Sequence, residues 1–336
     1  MYQNTQAINK DLSKMNTNDI NEKKSSLLLN DDSKAGCIND VSEGNFIVLE
    51  DYVLHCGTNT STQVYRIKDT FQFKCGNKKT CDKKFNVLVG TVFHGTKIPL
   101  STWFAAIYLA TAHKKGISSC QLARDLGIQQ RSAWHLLHRI RQMIAPQTNI
   151  ELNETVQIDE TYVKGEAKNR DKYTRKLIAE GKKEDKSNIV LGIVNNEMAV
   201  FKVVPDAERD TIKPIIKAVV TDKETVIVTD GFPSYNGLEL IYKGRIVINH
   251  AQQEYKVVEY HTNTVEGAFS LFKRCIYGTY HWVSERHLHR YCTLFAYGYN
   301  TRKLKEPSRF DNVFENTKGR LPYKQLIAPT RIEFLP

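Results

Sequence analysis

Apolar residues fall along this chain in distinct regimes. Between residues 100 and 144 they return at three- and four-residue steps, at Trp103, Ile107 and Tyr108, then Leu122 and Leu126, then Ala133, Leu136, Leu137 and Ile140. That spacing is the stripe of amphipathic helices, and three helices fit. The turn at Gly127-Ile128 gives Leu122 to Ile140 the pattern of a helix-turn-helix, and Pro146 closes the segment because proline disfavours helix in the residue before it. Beyond it, β-branched runs predict strands over 155–163, 188–194, 198–204, 225–229 and 245–249. Helical periodicity predicts helices near 210–221, 263–276 and 284–297. Alternating strands and helices imply an α/β fold.

Other stretches lack such a period. Residues 1–48, rich in Asn, Asp, Ser and Lys, predict a disordered tail. Residues 49–96 read as a small β ribbon with cysteines at its turns, and 97–146 as the helical unit. Residues 150–302 are the α/β region, in which the charged stretch 165–186 is expected to be a solvated excursion or mobile insertion. Residues 303–336 read as an extended tail.

Composition sharpens this division. The 336 residues carry a net charge of +11, with 41% hydrophobic and 25% charged residues, ordinary for a globular protein. Residues 1–50 hold five Lys against eight Asp and Glu, a net of −3, so the remainder carries +14. A basic folded part suits a polyanionic partner, since each Lys or Arg on a phosphate releases counterions. No apolar run is long enough for a membrane span or a secretory signal, so no membrane partner is expected. Seven unevenly spaced cysteines do not form a disulfide framework and point to a reduced compartment; Cys120, Cys275 and Cys292 are expected in helix cores.

Three acidic residues stand where polynucleotidyl-transfer chemistry needs them. Asp159 follows Val156-Gln-Ile, Asp230 follows Val226-Ile-Val-Thr, and Glu266 lies on an expected helix with Lys273 seven residues later, two turns along on the same face. Phosphodiester cleavage builds negative charge on the phosphate, and two Mg²⁺ (or Mn²⁺) ions about 3.5–4 Å apart stabilise both the entering and leaving oxygens. Such hard cations want carboxylate oxygens, so Asp159 would bridge both ions with Asp230 and Glu266 completing their shells. The separations, 230 − 159 = 71 and 266 − 230 = 36 residues, fit a ribonuclease H-like sheet. The bland alternative gives each carboxylate a turn or helix-cap role.

The stretches Ile158-Asp159-Glu160-Thr161-Tyr162-Val163, Thr229-Asp230-Gly231 through Tyr235, His261-Thr-Asn263-Thr-Val-Glu266-Gly and Lys273 through His287 carry a resemblance. So do Gly90-Thr91, Lys114 to Ser118, Gln121 to Ile128 and Ala133 to Arg141. Together they resemble the ISXO-type transposases of bacterial insertion sequences, a group related to eukaryotic Merlin elements. The resemblance implies a DDE transposase that hydrolyses element ends with Mg²⁺ and then joins the freed 3′-hydroxyl to target DNA. Its catalytic positions fall on Asp159, Asp230 and Glu266, with Lys273 as the basic position; Asn263 is a second candidate for the third ligand.

The same resemblance implies a zinc ribbon built from paired Cys knuckles. Here Cys56 lacks its expected partner, the position being Val53, and Cys75 and Cys81 have five residues between them, wider than usual. The candidate Zn²⁺ site is therefore Cys56, Cys75 and Cys81 with His55 or water, against a ribbon that folds without metal. On the helix-turn-helix, Gln129, Gln130, Arg131, His135, His138, Arg139 and Arg141 are candidates for DNA contact, joined by Lys273 and Arg274 near the carboxylates. His281, His287 and His289 are expected to be phosphate contacts or surface. The segment from Cys292 to Gly298 also departs from the family pattern, which suggests a diverged copy.

The expected partners are terminal inverted repeats and target DNA, with the protein assembled as a homo-oligomer on DNA. Its expected place is the cytoplasm and nucleoid in a bacterium, or the nucleus in a eukaryote. A DNA-binding protein that no longer cuts, and a nuclease without strand transfer, are the competing readings.

Overall fold

The structure is a computed structural model that describes residues 64–68, 72–76, 84–86, 88–164, 172–182, 187–248 and 260–328. Backbone contacts divide them into two compact units. The first comprises the described residues up to Lys97 with Thr317–Arg320, and the second comprises Ile98–Asn316 with the described residues from Leu321 on.

In the first unit, β1 (Val64–Arg66), β2 (Phe73–Cys75) and β3 (Lys84–Phe85) form an antiparallel three-stranded sheet. Phe73 and Phe85 pack ring to ring with centroids 5.8 Å apart. Cys75 is buried on β2, whereas Cys56, Cys81 and His55 lie outside the described residues, so three of the four expected zinc ligands are not placed.

The second unit opens with α1 (Leu100–Ala112), α2 (Ser119–Leu126) and α3 (Gln130–Ile144). Ser118 caps α2 by accepting the Gln121 N–H, and Gly127 ends it with φ of 64°, a left-handed conformation that glycine adopts without a Cβ clash. The mixed sheet follows: β4 (Thr155–Val163), β5 (Asn188–Val194), β6 (Ala199–Val204), β7 (Val226–Asp230) and β8 (Gly244–Ile248) in the order β6-β5-β4-β7-β8. The β6-β5-β4 half is antiparallel and the β4-β7-β8 half parallel.

Alternation along the strands sends each face into its own core. Val156, Ile158, Leu191 and Ile193 pack with α5 (Arg209–Val219) through Ile212 and Ile216. Val163, Val190, Val194 and Phe201 pack on the opposite face against α6 (Asn263–Cys275) and α7 (Glu285–Asn300). A single π-helical turn, Ile276–Tyr280, continues α6.

Three expectations change. The charged excursion contains a helix, α4 (Lys172–Ala179), with Leu177 and Ile178 half-buried. The expected extended tail folds into α8 (Glu306–Asn312) and α9 (Tyr323–Ile327), because Phe310 and Phe314 pack edge-on against Phe104 of α1 and the buried Arg309 donates to the Thr301 and Thr111 carbonyls. Cys275 and Cys292 are buried, but Cys120 is exposed on α2. Among the described residues no helix is long and apolar enough to cross a membrane.

Candidate active site

β4 places Asp159 on the α6 side of the sheet. The parallel pairing of β4 with β7 runs Thr155 to Val226, Val156 to Ile227 and Gln157 to Val228, so two more residues of the same register bring Asp159 beside Asp230. Side chains in register on neighbouring parallel strands point to one face. Across the antiparallel pair, Asp159 stands opposite Gly192 of β5. A Cβ on Gly192 would lie 2.6 Å from Cζ of Phe269 and 3.3 Å from Cγ2 of Val265. The missing side chain thus lets α6 settle onto the sheet next to Asp159. Helical spacing then sets Glu266 and Lys273 along the cleft that Asp159, Glu160 and Ser270 also line.

Hydrogen bonds aim the individual carboxylates. Asp159 Oδ1 accepts the Glu160 N–H at 2.9 Å, Asp230 Oδ1 accepts the Phe232 N–H at 3.0 Å, and Glu266 Oε1 accepts the Thr262 hydroxyl at 2.7 Å. The Asp230 turn is clamped by Arg245 of β8, whose guanidinium donates to Thr229 Oγ1, the Asp230 carbonyl and Asn236 Oδ1. Glu160 accepts the hydroxyl of the fully buried Tyr235 at 2.6 Å. The N-terminus of α6 is capped from β4: Gln157 Oε1 accepts the Thr264 and Val265 N–H groups.

The electrostatics are those of crowded like charges. Burial, then Glu160, then Asp230 and Glu266, push the Asp159 carboxyl up to about 7, against the opposing Glu160 N–H. The Glu160 carboxyl is also raised, by burial first and by Asp230, with the Tyr235 hydroxyl bond pulling the other way. Carboxylate oxygens held against burial and like charge, as those of Asp159 and Glu160 are, fit a hard divalent cation in donor chemistry. Among the described residues no three His, Cys, Asp or Glu side chains are gathered so as to hold one metal ion.

Asp159, Glu266 and Lys273 therefore share a cleft, with Asp230 beside Asp159 but outside the cleft lining. Arg274 is exposed at the end of α6, and Asn263 is exposed at its first residue. The expected DNA face of α3 is only partly available. Gln129, Gln130 and Arg131 are exposed, Gln130 donating to Ser119 Oγ and Arg131 lying over the Tyr323 ring. His135 is half-buried against Tyr323, with a ring nitrogen 2.9 Å from the Leu321 carbonyl oxygen.

His138, Arg139 and Arg141 are corrected outright: all three are buried, Arg139 over Trp103 and Arg141 over Tyr291. They lie on the face of α3 that packs inward, where aromatic rings receive the guanidinium groups. His287, expected as surface or phosphate contact, is likewise buried, 4.8 Å ring to ring from His138. His281 is exposed.

Sequence reasoning missed Gln157, Tyr235 and Arg245 as parts of this site. Their partners are remote in sequence, and only the Asp-Gly-Phe-Pro-Ser-Tyr run, which contains Tyr235, carried any local signal.

Residues 151–300 match the family model described as the ISXO2-like transposase domain. An uncharacterized protein in transposable element ISH50 of Halobacterium salinarum is 29% identical over 208 residues, a match covering 58% of this chain and 68% of that protein.

Proposed function

From the premise that residues 151–300 belong to the ISXO2-like transposase domain family, we propose that the chain cleaves phosphodiester bonds at the ends of a transposable element and joins them to target DNA. The observation that carries this reading is the crowding of Asp159 against Glu160, Asp230 and Glu266 beside a cleft that also holds Lys273. A sheet with three antiparallel and two parallel strands, a first acid on its central strand, a second on the neighbouring parallel strand and a third on the covering helix supports a ribonuclease H-like assignment.

Asp159, Asp230 and Glu266 would hold Mg²⁺ or Mn²⁺, which when bound supplies Lewis-acid stabilisation of the attacking and leaving oxygens. Lys273, in the same cleft, would bind a DNA phosphate and orient the scissile strand. Arg245 and Tyr235 hold the Asp230 turn and the Glu160 carboxylate in place. The α2–turn–α3 unit would serve as a helix-turn-helix that presents Gln129, Gln130 and Arg131 to the terminal repeats. A Zn²⁺ ribbon through Cys56, Cys75 and Cys81, and a homo-oligomer that pairs the two ends, complete the proposal.

The test is incubation of the purified chain with its flanking terminal repeats and Mg²⁺, beside Asp230→Ala. The expected outcome is nicking and strand-transfer product from the wild type and a loss on the order of 10³-fold in the variant. Repeat binding without triad-dependent nicking would replace the enzyme by a DNA-binding protein. Cleavage without a joined product would indicate a nuclease.

A further inference from the structure

The first N–H groups of a helix have no partner within it and must be satisfied from elsewhere. In α6 the preceding residue, Thr262, provides no side-chain cap. Its hydroxyl is turned instead to the Glu266 carboxylate. The cap comes from the sheet. Gln157, 5% exposed on β4, receives the Thr264 N–H at 3.0 Å and the Val265 N–H at 3.1 Å on Oε1, and its Nε2 donates to Thr264 Oγ1 at 3.1 Å.

Two geometric facts give this cap a consequence beyond holding a helix. Gln157 precedes Asp159 by two residues on the same strand, so both side chains project to the α6 face. Val265, one of the two residues capped, directly precedes Glu266. One buried amide therefore ties the strand that carries the first acid to the helical turn that carries the third. The neighbouring contact of Phe269 over Gly192 is apolar and non-directional; it sets how closely α6 approaches the sheet. The paired hydrogen bonds of Gln157 have direction and set where along β4 the helix begins.

We propose that Gln157 is a positioning residue that fixes Glu266 relative to Asp159 and thereby sets the affinity of the acidic cleft for a hard divalent cation. This rests on the cleft reading given above. Gln157 itself touches neither the cation nor the DNA. A shortened or apolar side chain leaves the buried Val265 N–H and the part-buried Thr264 N–H without their acceptor, and the first turn of α6 can recover it only by shifting or fraying. Glutamate keeps an acceptor in place, and a helix N-terminus tolerates its charge.

The experiment uses the full chain and Mn²⁺ alone, with free Mn²⁺ followed by electron paramagnetic resonance and amide exchange read at Thr264 and Val265. Wild type is expected to bind Mn²⁺ and Asp159→Asn to lose it, which tests the cleft reading independently. Gln157→Met, folded by circular dichroism, is expected to bind about 10–100-fold more weakly, the usual cost of removing a residue that orients metal ligands. Faster exchange at both amides should accompany it, and Gln157→Glu should restore both readouts.

Faster exchange with unchanged Mn²⁺ affinity in Gln157→Met would overturn the proposal, leaving Gln157 a structural cap. If that variant does not fold, Gln157→Asn, one methylene shorter, takes its place; failure of both to fold overturns the proposal in the same sense. Absence of Mn²⁺ binding by the wild type would overturn the cleft reading, and this inference with it.

Discussion

Beside α6, negative charge gathers around one group: Glu160, Asp230 and Glu266 all act on the partly buried Asp159 carboxyl. Between α3 and α7 the sign is reversed. Arg141, 2% exposed, lies there with the buried His138 and His287, and the charged groups acting on these histidines are all basic. Among the described residues, Arg141 Nε and Nη1, both ring nitrogens of His138 and Nε2 of His287 have no hydrogen-bond partner. Each region sets ionisable groups against like charge, fully buried at Arg141 and partly buried at Asp159 and Glu160, and burial costs free energy in either case.

They relieve it differently. The basic pocket is sealed: its guanidinium is stacked 3.9 Å from the Tyr291 ring centroid and 5.7 Å from that of Tyr280. Its histidines shed their protons, burial first and neighbouring arginines second holding His138 well below the usual imidazole range and His287 at about 4. The acidic region lines an open cleft, so its charge can be matched by something that arrives from solution. Crowded like charge that is sealed and stacked is part of the fold, whereas crowded like charge on an open surface is a place for a ligand.

Substitutions can break this contrast, beginning with the largest effect. Arg141→Ala removes a stacked, buried side chain and should cost about 3 kcal/mol of stability, by analogy with other large-to-small core changes. Arg141→Met fills the same space without the charge and should cost about 1 kcal/mol or less. Urea denaturation of both measures the difference, and equal losses would mean that the charge itself holds the pocket together.

Next in size is Asp159→Asn in cation-free buffer. With the Asp159 carboxyl raised from 3.8 to about 7, the folded state retains a proton that the unfolded chain has already lost. The wild type is therefore penalised increasingly from about pH 4 to pH 7, and evenly above that. The variant should be more stable at pH 8 by on the order of 2 kcal/mol, with the gain fading toward pH 4. Thermal denaturation across that range checks it, and a variant less stable at pH 8 would contradict the crowding argument.

The smallest effect concerns His287. Its depressed value means that the folded state keeps the ring neutral, so stability is full above 6.5 and falls as pH drops toward 4. His287→Phe retains a ring against Trp134 and His138 and should flatten that acid limb. An unchanged stability–pH curve would show that the pocket's histidines do not titrate against burial.

Much of the α/β half that carries the acidic residues was legible because its signals are local. Strand alternation over 155–163 and 188–194 reproduces β4 and β5, and the helical period predicts α6 from Asn263. The seven-residue step from Glu266 to Lys273 puts both on one cleft wall by helix geometry alone. Short elements were missed where the period is brief or masked by charge, as in α4, α8 and α9. In the last two, single aromatic residues serve as anchors: Phe310 on Phe104, and Tyr323 on Trp134 and His135.

Arg139 and Arg141 were misplaced for a related reason. A charged residue on an amphipathic helix ordinarily faces water, and only the positions of Trp103 and Tyr291 show that these two do not.

Taken alone, the sequence determined the α/β alternation, the order of the acidic residues and the phase of Glu266 with Lys273, because each follows from a period of two or 3.6 residues along one segment. Tertiary structure alone decided that Asp159 lies beside Asp230, that Gly192 admits Phe269, that Gln157 caps α6 and that Arg141 is sealed away. Those relations join residues dozens of positions apart, and they depend on strand register and packing distance, which no local periodicity encodes.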